Sequence, residues 1–156
     1  MNLDQPGTIL LAGGAVVTVD GDGTLCDPGW VLTDGALITG VGVGDPPTAA
    51  RRTADVEVDT TGAAVMPGMV NGHTHLFQTL LRGLADDKPL LDWLRDCIWP
   101  AASEIDAEAA AAATALGLIE NLRSGTTAVV DHQYVHADPD IDEAVCRVAD
   151  SIGIRY

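Results

Sequence analysis

The sequence predicts a mixed α/β chain in two parts, a β-rich segment up to about Met66 followed by the opening of a parallel sheet with helical crossovers. Three observations predict it. Between Thr8 and Val65 the apolar residues come in short runs cut by Gly, Pro and Asp, without a helical period. At Met66-Pro67-Gly68 this pattern stops. Beyond it a strand-like run, a capped helix and a β-branched run follow in the order strand, helix, strand, which is the βαβ unit.

In the first part, strands are expected at Thr8 to Leu11, Ala15 to Val19, Trp30 to Leu32, Ala36 to Val43 and Val56 to Val58. Gly13-Gly14, Asp22-Gly23 and Asp34-Gly35 supply the positive φ angles of tight turns, and Pro46-Pro47 with the following Ala/Arg stretch reads as an exposed loop. In the second part, Met69 to His75 reads as a buried strand and Leu90 to Ile98 as a short helix. A long helix is expected from Asp106 to Ser124, with Asp106 as N-cap and Gly125 at C′. Ala111, Ala115, Leu118, Ile119 and Leu122 share one face of it, and the alanines permit close approach to a sheet. Thr126 to Val130 then reads as a strand buried on both faces. Asp140 to Ile152 is a further helix ended by Gly153, and Ile154-Arg155-Tyr156 begins a third strand.

Composition narrows the function. The 156 residues carry a net charge of −15, an excess that repels phosphate backbones and anionic headgroups, so neither nucleic acid nor a membrane surface is an expected partner. The apolar stretch Thr8 to Val19 is interrupted by Gly13 and Gly14 and is shorter than the roughly 20 residues of a membrane span. Met1 to Pro6 lack the basic and apolar regions of a secretory leader, and a cytoplasmic location is expected. Cys26, Cys97 and Cys146 are far apart and form no CxxC pair, so they read as buried or idle thiols. Lys88 is the one lysine, and Asp outnumbers Glu.

The residues richest in chemistry are His73 and His75. On a strand, side chains at i and i+2 point to one face, so two imidazoles separated by one residue can converge on a metal ion. On a helix they would diverge by about 160°. Spacing alone is equally compatible with two surface or core histidines, and context adds weight because the pair ends an apolar strand, where a barrel of parallel strands presents its active face. Asn71 lies on the same strand face, either supporting the pair or making a hydrogen bond inside a barrel. Asp131-His132 ends the next strand on the same rim, where His132 can bind substrate, assist proton transfer or simply be solvated. His136 reads as surface, and Asp86-Asp87 with the acidic run from Asp138 to Asp142 read as solvated loops and helix starts.

The segment Val65-Met66-Pro67-Gly68-Met69-Val70-Asn71-Gly72-His73-Thr74-His75-Leu76-Phe77-Gln78, with Leu81-Arg82-Gly83, Ser124-Gly125-Thr126-Thr127 and Val129-Val130-Asp131-His132, resembles the amidohydrolase superfamily. The likeness is greatest to its aminohydrolases and chlorohydrolases of aromatic N-heterocycles, such as 8-oxoguanine deaminase, guanine deaminase and atrazine chlorohydrolase, and covers essentially the whole chain. It implies that residues 1–66 are a segment of a small β-sandwich and residues 67–156 the first βα units of a (β/α)8 TIM barrel. It also implies a mononuclear metal site, usually zinc or iron, with His73 and His75 as its first two ligands. A divalent cation lowers the pKa of bound water from about 15.7 toward 7, and the resulting hydroxide would displace ammonia from an amino-substituted ring. Gln78 matches a glutamine that contacts the heterocycle, though a loop-capping role suits it too. Trp93 matches an aromatic segment that overhangs the site, and as plain core it would need no such role.

A (β/α)8 barrel takes about 250 residues, and far fewer follow Met66. The resemblance places the remaining metal ligands and the proton-shuttling residues on later strands, downstream of Tyr156. The expectation is therefore the N-terminal portion of a homo-oligomeric hydrolase acting on a small heterocycle: a purine, pyrimidine or triazine deaminase, or else a triazine chlorohydrolase or cyclic amide hydrolase. The non-enzymatic alternative is a binding or assembly module whose open sheet is completed by another chain.

Overall fold

The structure is a computed structural model that describes residues 7–156. The reading of Met1 to Pro6 as no secretory leader lies outside the described residues. The chain divides into two compact units, Met1–Pro67 and Gly68–Tyr156. No helix among the described residues is long and apolar enough to cross a membrane.

The first unit holds β1 (Thr8–Ala12), β2 (Ala15–Val17), β3 (Leu25–Cys26), β4 (Gly29–Asp34), β5 (Leu37–Val43), α1 (Thr48–Thr53), β6 (Val56–Asp59) and β7 (Ala64–Val65). Four strands form one sheet in the order β5-β4-β1-β6, and three form a second in the order β3-β2-β7. Val16 and Cys26 from the smaller sheet meet Val31 from the larger in one core, with Leu11 and Val65 packed against it. The turn glycines act as expected at Gly13 and Gly35, whose φ angles are 100° and 57°. Gly40 and Gly42 on β5 have another purpose. A Cβ at either position would lie 2.8 Å from the Trp30 indole, so bare backbone there lets the ring of β4 lie across its neighbour. The stretch after Pro46-Pro47 is a short helix rather than a loop, because Pro47 occupies its N-cap and Ala50 is buried beneath it.

The second unit begins with β8 (Met69–Thr74), which runs directly into a 3₁₀ turn, Leu76–Leu81. A continuous helical stretch follows as α2 (Leu90–Trp93), a π turn (Leu94–Ile98) and α3 (Trp99–Ala102). Then come α4 (Ala107–Arg123), β9 (Thr126–Asp131) and α5 (Ile141–Ile152). Strands β8 and β9 pair in parallel with α4 in their crossover, and Arg155 makes one parallel bridge to Ala128 on the far side of β9. Gly68 lets β8 start close against β9, since a Cβ there would lie 2.1 Å from Thr127 Oγ1.

Both strands differ from the expected burial. Met69, Val70 and Val130 are exposed, because burial on both faces requires layers on each side and β8 and β9 form a sheet of two strands. The buried face of α4 is also rotated from the expected one. Ala110, Ala113, Thr114, Gly117 and Leu118 point inward, whereas Ile119 and Leu122 are exposed. Small residues win that face because the 3₁₀ turn presses on it: a Cβ on Gly117 would lie 2.7 Å from Leu76 Cδ2.

Caps hold the helices in place. Asp106 Oδ1 accepts from the Ala109 backbone N–H at 2.8 Å, and Gly153 closes α5 in the left-handed region at φ 78°. D106A is expected to cost about 1 kcal/mol of stability, read as a lowered urea midpoint with an unchanged slope.

Candidate metal and substrate site

Residues 71–78 and 131–134 converge at the C-terminal ends of β8 and β9. β8 pairs Asn71 with Val129 and Thr74 with Asp131, so it spends one more residue than β9 over the same span. Such a bulge twists a strand and re-aims its side chains. His73 lies within this bulge, and His75 lies just past the strand, at the N-cap of the 3₁₀ turn. The two imidazoles nonetheless face each other edge-on, with centroids 5.1 Å apart.

Each histidine is held by a separate set of hydrogen bonds. His75 Nδ1 is 2.9 Å from the carbonyl oxygen of His132. A carbonyl only accepts, so Nδ1 carries the proton and the lone pair resides on Nε2. The His73 backbone N–H donates to Asn71 Oδ1 at 3.2 Å, and Asn71 Nδ2 donates to Asn121 Oδ1 at 2.9 Å. Asn121 Nδ2 in turn donates to the Gly117 carbonyl at 2.8 Å. The relay has a backbone donor at one end and a backbone acceptor at the other, so both amides have one possible orientation.

Tyr134 forms the hub of the remaining contacts. Its ring meets His75, His132 and Phe77 at centroid distances of 5.2, 5.4 and 4.8 Å. Gln78 Nε2 donates to its hydroxyl at 2.6 Å. A cavity of about 490 Å³ opens beside Gln78, lined also by Leu81, Arg82, Lys88, Leu90 and Trp93. Trp93 serves two ends at once, packing against the core around Phe77 and Ile98 while its indole N–H donates to the Leu84 carbonyl at 3.2 Å. Two ion pairs fix the basic side chains of this wall. Glu120 receives both arms of Arg82 at 2.8 Å and raises its pKa. Lys88 pairs with Asp96, whose carboxyl is lowered to about 2 chiefly by hydrogen bonds from Arg95 and then Lys88. His136 is apart from the site, exposed and paired with Asp142 at 3.1 Å.

The structure therefore brings together His73, His75, Asn71, Gln78 and His132, with Trp93 on the wall of the adjoining cavity. Sequence reasoning missed Tyr134 and Asn121. The local signal for Tyr134 is its i+2 spacing from His132, and for Asn121 only its polar side chain on a helix otherwise read as apolar. The donor set fits a divalent metal: two neighbouring imidazoles, one with its tautomer fixed by a backbone carbonyl, as metal-bound histidines usually have. Among the described residues no group of three or more His, Cys, Asp or Glu side chains could hold a metal ion.

A parallel βαβ unit whose strand ends carry a histidine pair defines a class of α/β proteins with rim-borne sites. Residues 64–156 match the amidohydrolase family, and the chain belongs to it. It is similar to the 5-methylthioadenosine/S-adenosylhomocysteine deaminase of Nitratidesulfovibrio vulgaris, 37% identical over 98% of this chain and 33% of that protein. The enzyme of the same name from Haloquadratum walsbyi is 49% identical over 65% of this chain and 23% of its own length. Among solved structures, an adenosine deaminase from Xanthomonas campestris with bound zinc superposes with a TM-score of 0.81 at 34% identity, over 97% of this chain and 33% of that one. The chain thus spans about a third or less of the length of these relatives.

Proposed function

We propose that this chain is the N-terminal portion of a metal-dependent aminohydrolase that removes ammonia from an amino-substituted aromatic heterocycle. In this reading residues 1–66 are a β-sandwich segment and residues 67–156 are the first βα units of a (β/α)8 barrel. The observation that carries it is the facing pair of His73 and His75, with the His75 proton committed to the His132 carbonyl and its Nε2 lone pair free. The names of the relatives support a purine carrying a ribose-type substituent as the substrate class.

His73 and His75 would hold the metal, zinc by analogy with the bound zinc of the Xanthomonas campestris enzyme. Such a cation supplies Lewis acidity and makes water a competent nucleophile near neutral pH. The chain's own residues bind and orient. Gln78 keeps its amide carbonyl and a second N–H beyond the bond to Tyr134, a donor and an acceptor for the edge of a heterocycle. Trp93 gives the adjoining cavity an aromatic wall on which a flat ring can lie. The His132 imidazole is exposed beside His75 and is available to a substrate, since its backbone, not its ring, holds the metal ligand. The remaining metal ligands and the groups that move protons would come from segments beyond Tyr156. A cytoplasmic, homo-oligomeric protein with no nucleic-acid or membrane partner belongs to the same proposal.

The test is ammonia release. The purified, zinc-loaded full-length protein, of which this chain is the N-terminal portion, is expected to liberate ammonia from adenosine, 5-methylthioadenosine or S-adenosylhomocysteine, with a native mass spectrum showing one divalent metal per polypeptide. Absence of ammonia from every aminopurine, aminopyrimidine and aminotriazine tried would overturn the deaminase reading. Chloride release from a chlorotriazine would replace it with dechlorination.

A further inference from the structure

We propose that Asp131, braced by Tyr156, is a positioning residue that fixes His75 in its metal-ligating orientation, an inference that rests on the reading of His75 as a ligand. Residues 131 and 132 grip three consecutive positions on the facing strand end. The Thr74 carbonyl accepts from the His132 N–H at 2.9 Å, which closes the ladder between the strands. The His75 ring donates from Nδ1 to the His132 carbonyl at 2.9 Å. The Leu76 N–H donates to Asp131 Oδ1, also at 2.9 Å. Backbone and side chain of the ligand are thus tied on both sides.

The second carboxylate oxygen is occupied as well. Tyr156 donates its hydroxyl to Asp131 Oδ2 at 2.8 Å. It reaches that point because Arg155 joins the edge of β9, accepting from the Val129 N–H at 2.8 Å and donating to the Thr127 carbonyl at 3.2 Å. Burial pushes the Tyr156 phenol up, and the hydrogen bond to Asp131 adds to it, so the hydroxyl remains a donor throughout the working range. A carboxylate that accepts at both oxygens cannot swing, and bonds to a charged acceptor are shorter and stronger than neutral ones. Without Asp131 the first N–H of the 3₁₀ turn is orphaned. The residue next to His75 is then free to rotate the imidazole away from the His132 carbonyl.

The experiment measures zinc affinity of the purified full-length protein by competition with a chromophoric chelator, alongside the thermal midpoint of the metal-free form. D131A is expected to weaken zinc binding by roughly 10–100-fold, the range that loss of an outer-shell partner produces. D131N should restore most of it, because Asn retains an oxygen for the Leu76 N–H and can turn its amide N–H toward the Tyr156 oxygen. Y156F is expected to fall between wild type and D131A. Zinc affinity unchanged in D131A, with only the midpoint lowered, would reduce Asp131 to a helix cap and sink the proposal. If D131A does not fold, wild-type affinity in Y156F overturns the brace on its own. Equal zinc binding by wild type and H75A would instead remove the ligand reading on which the proposal stands.

Discussion

H75A is expected to abolish stoichiometric zinc binding at micromolar metal, a larger loss than the roughly 10–100-fold that changes in supporting residues produce. The variant removes the one nitrogen whose lone pair is directed by a fixed tautomer, and leaves the His132 carbonyl without its donor. H73A is expected to behave alike, since its imidazole is the other half of the 5.1 Å pair. H132A forms the contrast. Its backbone carbonyl survives the substitution, so zinc affinity should remain within a few-fold of wild type while ammonia release falls if the ring meets substrate. Zinc titrations of the three variants, read by chelator competition, decide the matter: comparable affinity in H75A and wild type would sink the ligand assignment. Loss of zinc in H132A equal to that in H75A would show that the ring of His132, rather than its backbone, belongs to the metal site.

These expectations mix what is local in the sequence with what is not. Turn glycines and side-chain caps act over a few residues, which is why β1, β2, β4, β5 and β6 and the helices α4 and α5 were legible, down to Asp106 as a cap and Gly153 as a stop. Two-residue strands such as β3 and β7 have no period to read, and exist only because β2 lies between them. The inward face of α4 was misread for a related reason. Its large side chains drew the apolar stripe toward Ile119 and Leu122, but contact with the 3₁₀ turn selects for absence of bulk at Gly117. In the site, the His-x-His spacing made the pair legible, although the chain reaches that convergence through a bulge and a strand end rather than through simple alternation. Asp131 was placed on the rim by its strand end and Tyr134 had only its i+2 spacing from His132 to mark it, but the bonds through which they and Asn121 act span about 50 residues or more, so no local pattern gives their partners.

The second large effect concerns the floor beneath the histidines. F77A is expected to destabilise the metal-free protein by about 3–5 kcal/mol, the usual cost of removing a buried aromatic ring. Phe77 is 1% exposed and sits among Ile98 of the π turn, Ile105, Ala110 of α4, Val135, and Ile141 and Val145 of α5, side chains drawn from separate stretches of the second unit. None of them can collapse into the space without moving its own element, so the cavity term is expected in full. The loss should not stop at stability. Phe77 meets Tyr134 edge-on at 4.8 Å, and Tyr134 in turn bears on His75 and accepts from Gln78. Removing the ring frees Tyr134 to sink toward the void and takes with it the lateral wall of His75. Zinc affinity should therefore weaken in F77A even under conditions where the variant is fully folded, whereas F77L, which retains most of the volume, should lose less of both. Urea unfolding of the metal-free protein gives the first quantity, and chelator competition well below the unfolding midpoint gives the second. A folded F77A with wild-type zinc affinity would show that Tyr134 is held by its neighbours without Phe77, and that core and metal site are energetically independent.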